Sequence, residues 1–124
     1  AMSMRKNFTT VKQNRAYAYV NSGQYQIAIA ELNELIAENN TMLDYFIYRG
    51  VSFFNTGNYH AALADNTTAI NINPQYNRAY YNRAVTYEAL KNYKAALEDI
   101  LKAKSLGYPA NEAYINKLQS LANK

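Results

Sequence analysis

The chain has 124 residues, of which 49% are hydrophobic and 18% charged, a balance that excludes disorder by composition. It has no cysteine, which excludes disulfides, thiolate metal sites and cysteine nucleophiles, and only two prolines and four glycines, which favours long helices joined by short turns. The formal net charge of +4 comes from scattered Lys and Arg rather than a basic stripe, and there is no apolar run long enough to span a membrane.

Residues 1–8 are expected to be a tail. Ala1-Met2-Ser3-Met4 reads as a tag remnant, which leaves room for a native signal to have been trimmed away; cytoplasm is the default expectation for the compartment. From residue 9 the chain repeats itself every 34 residues, giving units at 9–42, 43–76 and 77–110. Tyr19, Phe53 and Tyr87 fall in one column, Tyr25, Tyr59 and Tyr93 in another, and Ala28, Ala62 and Ala96 in a third. Phe46 matches Tyr80 and Tyr114, and Gly50 matches Ala84 and Leu118.

Within a unit the apolar residues recur at helical spacing. Tyr80, Ala84 and Tyr87 share one face, and a second stripe follows a break near Lys91-Asn92 with Tyr93, Ala96, Leu97, Ile100, Leu101 and Ala103. Small residues in the alanine and Gly50/Ala84 columns let two helices approach. Gly23 and Gly57 suit the left-handed residue that ends a first helix, and in the third unit Asn92 is expected to take that role. Pro109, after Gly107-Tyr108, ends the sixth helix, and 111–124 reads as one further capping helix with Tyr114, Leu118 and Leu121 in register. Asn66, where the sister units have Leu32 and Ile100, is expected to be half-exposed. Glu98-Asp99 is expected to lie on a solvated face beside Lys94 and Lys102.

These columns resemble the tetratricopeptide repeat family. Unit two carries its pattern in Phe46, Gly50, Phe53, Gly57-Asn58-Tyr59, Ala62, Ala69 and Pro74, and unit three in Tyr80, Ala84, Tyr87, Asn92-Tyr93, Ala96 and Ala103. Unit one departs from it, with Lys12 and Leu35 in place of a large apolar residue and an alanine, as suits an end repeat with no neighbour on one side. The resemblance spans 9–123 and implies an all-α, right-handed helical-hairpin solenoid (an α-α superhelix) of seven helices. It also implies a non-enzymatic scaffold without cofactors that takes a peptide or helix of a partner protein in a concave groove.

The resemblance assigns that groove to the first helix of each unit. The positions are Thr10, Gln13, Asn14, Tyr17, Val20 and Asn21 from unit one and Asp44, Ile47, Tyr48, Val51, Phe54 and Asn55 from unit two. Unit three supplies Arg78, Tyr81, Asn82, Val85, Glu88 and Ala89. Tyr17, Tyr48, Phe54 and Tyr81 form an aromatic set with Asn14, Asn55 and Asn82 between them, suited to ring contacts and to amide pairing with a bound backbone. Tyr81 taken alone is equally at home as packing. One branch of the family clamps the carboxylate tail of heat-shock chaperones with lysine, arginine and asparagine. The matching positions here are Gln13, Tyr17, Tyr48, Arg78 and Asn82, which keep one charge and so depart from the clamp. Arg78 is expected to pair with Asp44, with an acidic side chain of a ligand as the alternative.

Rival functions have less behind them. His60 is the only histidine, no Ser/His/acid set or phosphate loop is spaced for catalysis, and no metal cluster can be assembled from it. Nucleic-acid binding is disfavoured by a groove offering Arg78 as its one cation, opposed by Asp44 and Glu88. Self-association through open solenoid ends, giving a homo-oligomer, is the main alternative.

Overall fold

A computed structural model describes the backbone from residue 2 to 124 and the side chains from Phe8 onward. Among the described residues there are seven α-helices and no strand: α1 (Met2–Asn21), α2 (Tyr25–Glu38), α3 (Leu43–Asn55), α4 (Tyr59–Ile72), α5 (Asn77–Ala89), α6 (Tyr93–Ser105) and α7 (Glu112–Ala122). Each helix packs on the next, and α1 also meets α3 as α3 meets α5. The first helices thus lie side by side, and the hairpins stack into a solenoid.

One boundary differs from the expectation. The supposed tail at 1–8 is helical from Met2, extending α1; no proline or glycine interrupts 2–21, so nothing stops the helix. Ala1 and the side chains of residues 2–7 lie outside the described residues.

The core is serial rather than central, as expected when each repeat touches only its neighbours. Ala16, Val20, Ala28, Leu32 and Leu35 meet Tyr45 of the next unit. Phe46, Ile47, Ala69 and Ile70 meet Ala79, Tyr80 and Ala103. Ala84, Ala96 and Ile100 meet Ile115 and Leu118 of α7, which seals the last hairpin. Asn111 starts α7 by accepting hydrogen bonds from the Ala113 and Tyr114 amides.

The turn inside each hairpin is one motif used three times. Gly23, Gly57 and Lys91 have φ of 81°, 83° and 62°. The amide after each donates back to Tyr19, Phe53 and Tyr87, at 2.8, 2.8 and 2.9 Å, closing the helix end with paired carbonyls. The expectation for Asn92 is therefore corrected: Lys91 takes the left-handed conformation, and Asn92 caps α6 by accepting from the Ala95 amide. Register decides the matter, because the residue 34 positions beyond Gly57 is Lys91.

Candidate functional site

Tyr17 lies in α1, Tyr48 and Phe54 in α3, and Tyr81 in α5. Tyr17 of α1 stacks on Tyr48 of α3, ring centroids 4.1 Å apart and planes 20° from parallel. Burial pushes the Tyr17 phenol above its ordinary range, with the Asp44 carboxylate as a further cause. Phe54 packs at a tilt against Tyr59, 5.3 Å between centroids. Tyr81 of α5 stacks on Tyr108 at 4.4 Å and 17°. All four stacked rings are half-buried, Tyr17 and Tyr48 packing against one core cluster and Tyr81 and Tyr108 against another.

The polar positions divide. Gln13 donates to the hydroxyl of buried Tyr45 at 2.6 Å. Asn55 donates to the Val51 carbonyl of its own helix, so it is spent locally. Asn14, Asp44 and Arg78 are exposed. The expected Asp44–Arg78 ion pair does not form: among the described residues neither joins a salt bridge, as two well-hydrated side chains gain little from pairing. Ile47 belongs to the core, 7% exposed beside Phe46 and Tyr80, and not to an open surface. Val20 is likewise buried. Glu88 is engaged by the cap, accepting from the Tyr114 hydroxyl at 2.9 Å and from Lys117 at 2.8 Å.

Six of the expected groove residues converge. Val51, Phe54 and Asn55 from α3 and Tyr81, Asn82 and Val85 from α5 line one cavity of about 180 Å³. Tyr17 and Tyr48 sit apart from it as a stacked pair, and Gln13 lines a different hollow of about 720 Å³ beside Phe8, Met42 and Tyr45.

Three features were missed from sequence. Tyr108 falls in the column where unit two has Pro74, and that mismatch was its signal. With Tyr114 and Lys117 it lines a cleft of about 460 Å³ next to Tyr81. Asn66, expected to be half-exposed, is buried at 2%. Asp99, expected on a solvated face, is buried against Arg83; the same pair recurs as Arg49–Asp65 and Arg15–Glu31, always 16 residues apart. Each of the inner two arginines also lies over two aromatic rings of its own helix, Arg49 over Phe46 and Phe53 and Arg83 over Tyr80 and Tyr87, at 5.5–5.8 Å.

The tetratricopeptide repeat profile matches residues 14–76 and again 49–112. Among solved structures, the TPR domain of Arabidopsis OM64 is similar at 25% identity, over 92% of this chain and 96% of that one, with a TM-score of 0.84. The first TPR of Spaghetti (RPAP3), bound to an HSP90 peptide, is similar at 22% identity, over 93% and 90%, with a TM-score of 0.81. The TPR2B domain of yeast Sti1, in complex with an Hsp70 peptide, is similar at 22% identity, over 93% and 95%, with a TM-score of 0.79. Among curated proteins none matches the chain.

Proposed function

The chain belongs to the tetratricopeptide repeat family, in general a non-enzymatic protein-interaction scaffold, and from that premise we propose that the α1/α3/α5 face is a groove for a peptide or helix of a partner protein. The observation that carries this is the pair of ring stacks, Tyr17–Tyr48 and Tyr81–Tyr108, on that face with Phe54 and the cavity between α3 and α5. Fixed aromatic surface gives a ligand contact area at little entropic cost, and half-buried Asn82 offers an amide to a bound backbone.

The ligand differs in kind from an acidic chaperone tail. Of Gln13, Tyr17, Tyr48, Arg78 and Asn82, only Arg78 is cationic, so the charge-assisted donors that a terminal carboxylate needs are mostly missing. Apolar and aromatic side chains of the ligand carry the contact instead. Recovery of partners by wild type and by the double variant Tyr48→Ala/Tyr81→Ala tests the reading. Loss of recovery with retained helicity is the expected result, and unchanged recovery refutes the groove.

A second reading, end-to-end association of copies, is favoured by Phe8 and Val11 of α1, which are 75% and 61% exposed. Light-scattering mass against concentration distinguishes it: a strictly monomeric species at high concentration removes it.

A further inference from the structure

Uncovered apolar surface is concentrated on the outer face of unit one. Among the described residues five large hydrophobic side chains are exposed, and three of them, Phe8, Val11 and Ile27, lie in this unit. In α1, Gln13 and Tyr17 reach across to α3, and the exposed residues Phe8, Val11, Arg15 and Ala18 fall on the opposite side of the helix. In α2, Asn33 reaches Arg49 of α3, and Ile27, Glu31, Glu34 and Glu38 form the opposite stripe.

Charge divides between the two helices. α1 contains Arg5, Lys6, Lys12 and Arg15 and no acidic residue, whereas α2 contains Glu31, Glu34 and Glu38 and no cation. Within the chain Lys12 pairs with Glu34 at 3.1 Å and Arg15 with Glu31 at 3.0 Å. These pairs set the level of one helix against the other, so that Phe8 is level with Ala37 and Glu38, and Ala18 with Ile27. Glu38 is exposed and joins no salt bridge among the described residues.

A two-fold axis can lay this face on that of a second copy in two ways. An axis across the helices sets α1 on α1 of the copy and α2 on α2, cations over cations and acids over acids. An axis along the helices sets α1 antiparallel on α2 of the copy, so cations meet acids in both halves of the contact. The second arrangement also keeps each level. Phe8 then meets Ala37 of the copy, and Ala18 meets Ile27 of the copy, large against small at both ends. Like charges face to face repel, so electrostatics selects the second arrangement.

We propose that a second copy of this chain covers the outer face of unit one, in a closed two-fold dimer with α1 of each copy on α2 of the other. The inference deepens the end-to-end reading: this pairing closes at two copies, whereas head-to-tail stacking runs on as a filament. The same axis turns the two α1/α3/α5 faces to opposite sides, so the dimer presents two grooves, and it bridges two polypeptides where the groove reading holds.

Sedimentation equilibrium of the full chain against concentration, at low and high salt, tests the proposal. Wild type is expected to dimerise, less tightly as salt rises. Val11 is 61% exposed, so its substitution is expected to leave the thermal midpoint of the monomer unchanged. Val11→Glu sets a carboxylate against Glu34 and Glu38 of the copy and is expected to weaken the dimer about 10-fold or more. Val11→Lys is expected to dimerise more tightly than Val11→Glu. The opposite order points to α1 on α1 and overturns the arrangement, as do equal losses, which leave an apolar contact without the charge match. A dimer indifferent to both substitutions lies on another surface; it removes this interface while association of copies stands. A strictly monomeric species removes both. Neither substitution touches the ring stacks, so the groove stands or falls separately, on Tyr48→Ala/Tyr81→Ala.

Discussion

Arg83 holds both oxygens of Asp99, donating through Nε at 2.7 Å and through Nη2 at 2.8 Å, and so ties α5 to α6 within one hairpin. Its third nitrogen, Nη1, reaches Thr67 of the preceding unit, so the same guanidinium joins two repeats. Arg49 does likewise, with Asp65 in its own hairpin and Asn33 in the unit before. Asp99 and Asp65 are 5% and 4% exposed, so each depends on its arginine for compensation. Burial pushes the Asp65 carboxyl up, and Arg49 pulls it back.

Arg83→Met is accordingly expected to cost about 3–5 kcal/mol by stranding a buried carboxylate. Adding Asp99→Leu is expected to restore most of that loss. Arg15, whose side chain is 49% exposed in its pair with Glu31, is expected to lose less than about 1 kcal/mol on the same change. Denaturant unfolding of the three variants beside wild type checks all of this; equal costs at Arg15 and Arg83 would contradict the burial argument.

Lys91→Gly is expected to stabilise the fold by about 0.5–1 kcal/mol, because Lys91 occupies φ of 62° at a place where the other two hairpins have glycine. Gly57→Ala is expected to lose about 1 kcal/mol for the same reason reversed; space is not the obstacle, since nothing lies within 4 Å of an added β-carbon. Thermal midpoints of the two variants should move in opposite directions.

Tyr17 and Tyr114 give the fold an alkaline dependence. Burial is the main cause raising both phenols above 10.0, and Glu88, which accepts from Tyr114, raises it further. Across the interval above 10.0 the folded state keeps protons that the unfolded state has released, so stability is at its full value below that pH and falls as pH rises through it. Unfolding free energies measured from neutral to alkaline pH should show the decline, and Tyr17→Phe should make it shallower. A decline of undiminished slope in that variant would contradict the assignment.

The fold was legible because its signal is redundant: the columns of Tyr25, Tyr59 and Tyr93 and of Ala28, Ala62 and Ala96 state the same hairpin three times. Of the positions expected to line a groove, Val51, Phe54, Asn55, Tyr81, Asn82 and Val85 lie together around one cavity. How the rings pair was not legible. Tyr17 on Tyr48 and Tyr81 on Tyr108 depend on side-chain rotamers and on a loop residue that departs from the repeat pattern. Asn66 and Asp99 were misplaced on the surface because polarity was taken as exposure. The arginine ladder was available as an offset of 16 residues at Arg15, Arg49 and Arg83, which a column-by-column comparison of charged residues would have found.

The most direct test of the polypeptide-binding face is amide shift mapping with a peptide selected by display against the wild-type protein. Perturbations are expected along α1, α3 and α5, centred on Tyr17, Tyr48, Val51, Phe54, Tyr81 and Asn82, with affinity lost in Tyr48→Ala/Tyr81→Ala. Perturbations confined to exposed residues of the second helices, such as Ile27 and Leu101, or to Phe8 and Val11 at the open end, would contradict it.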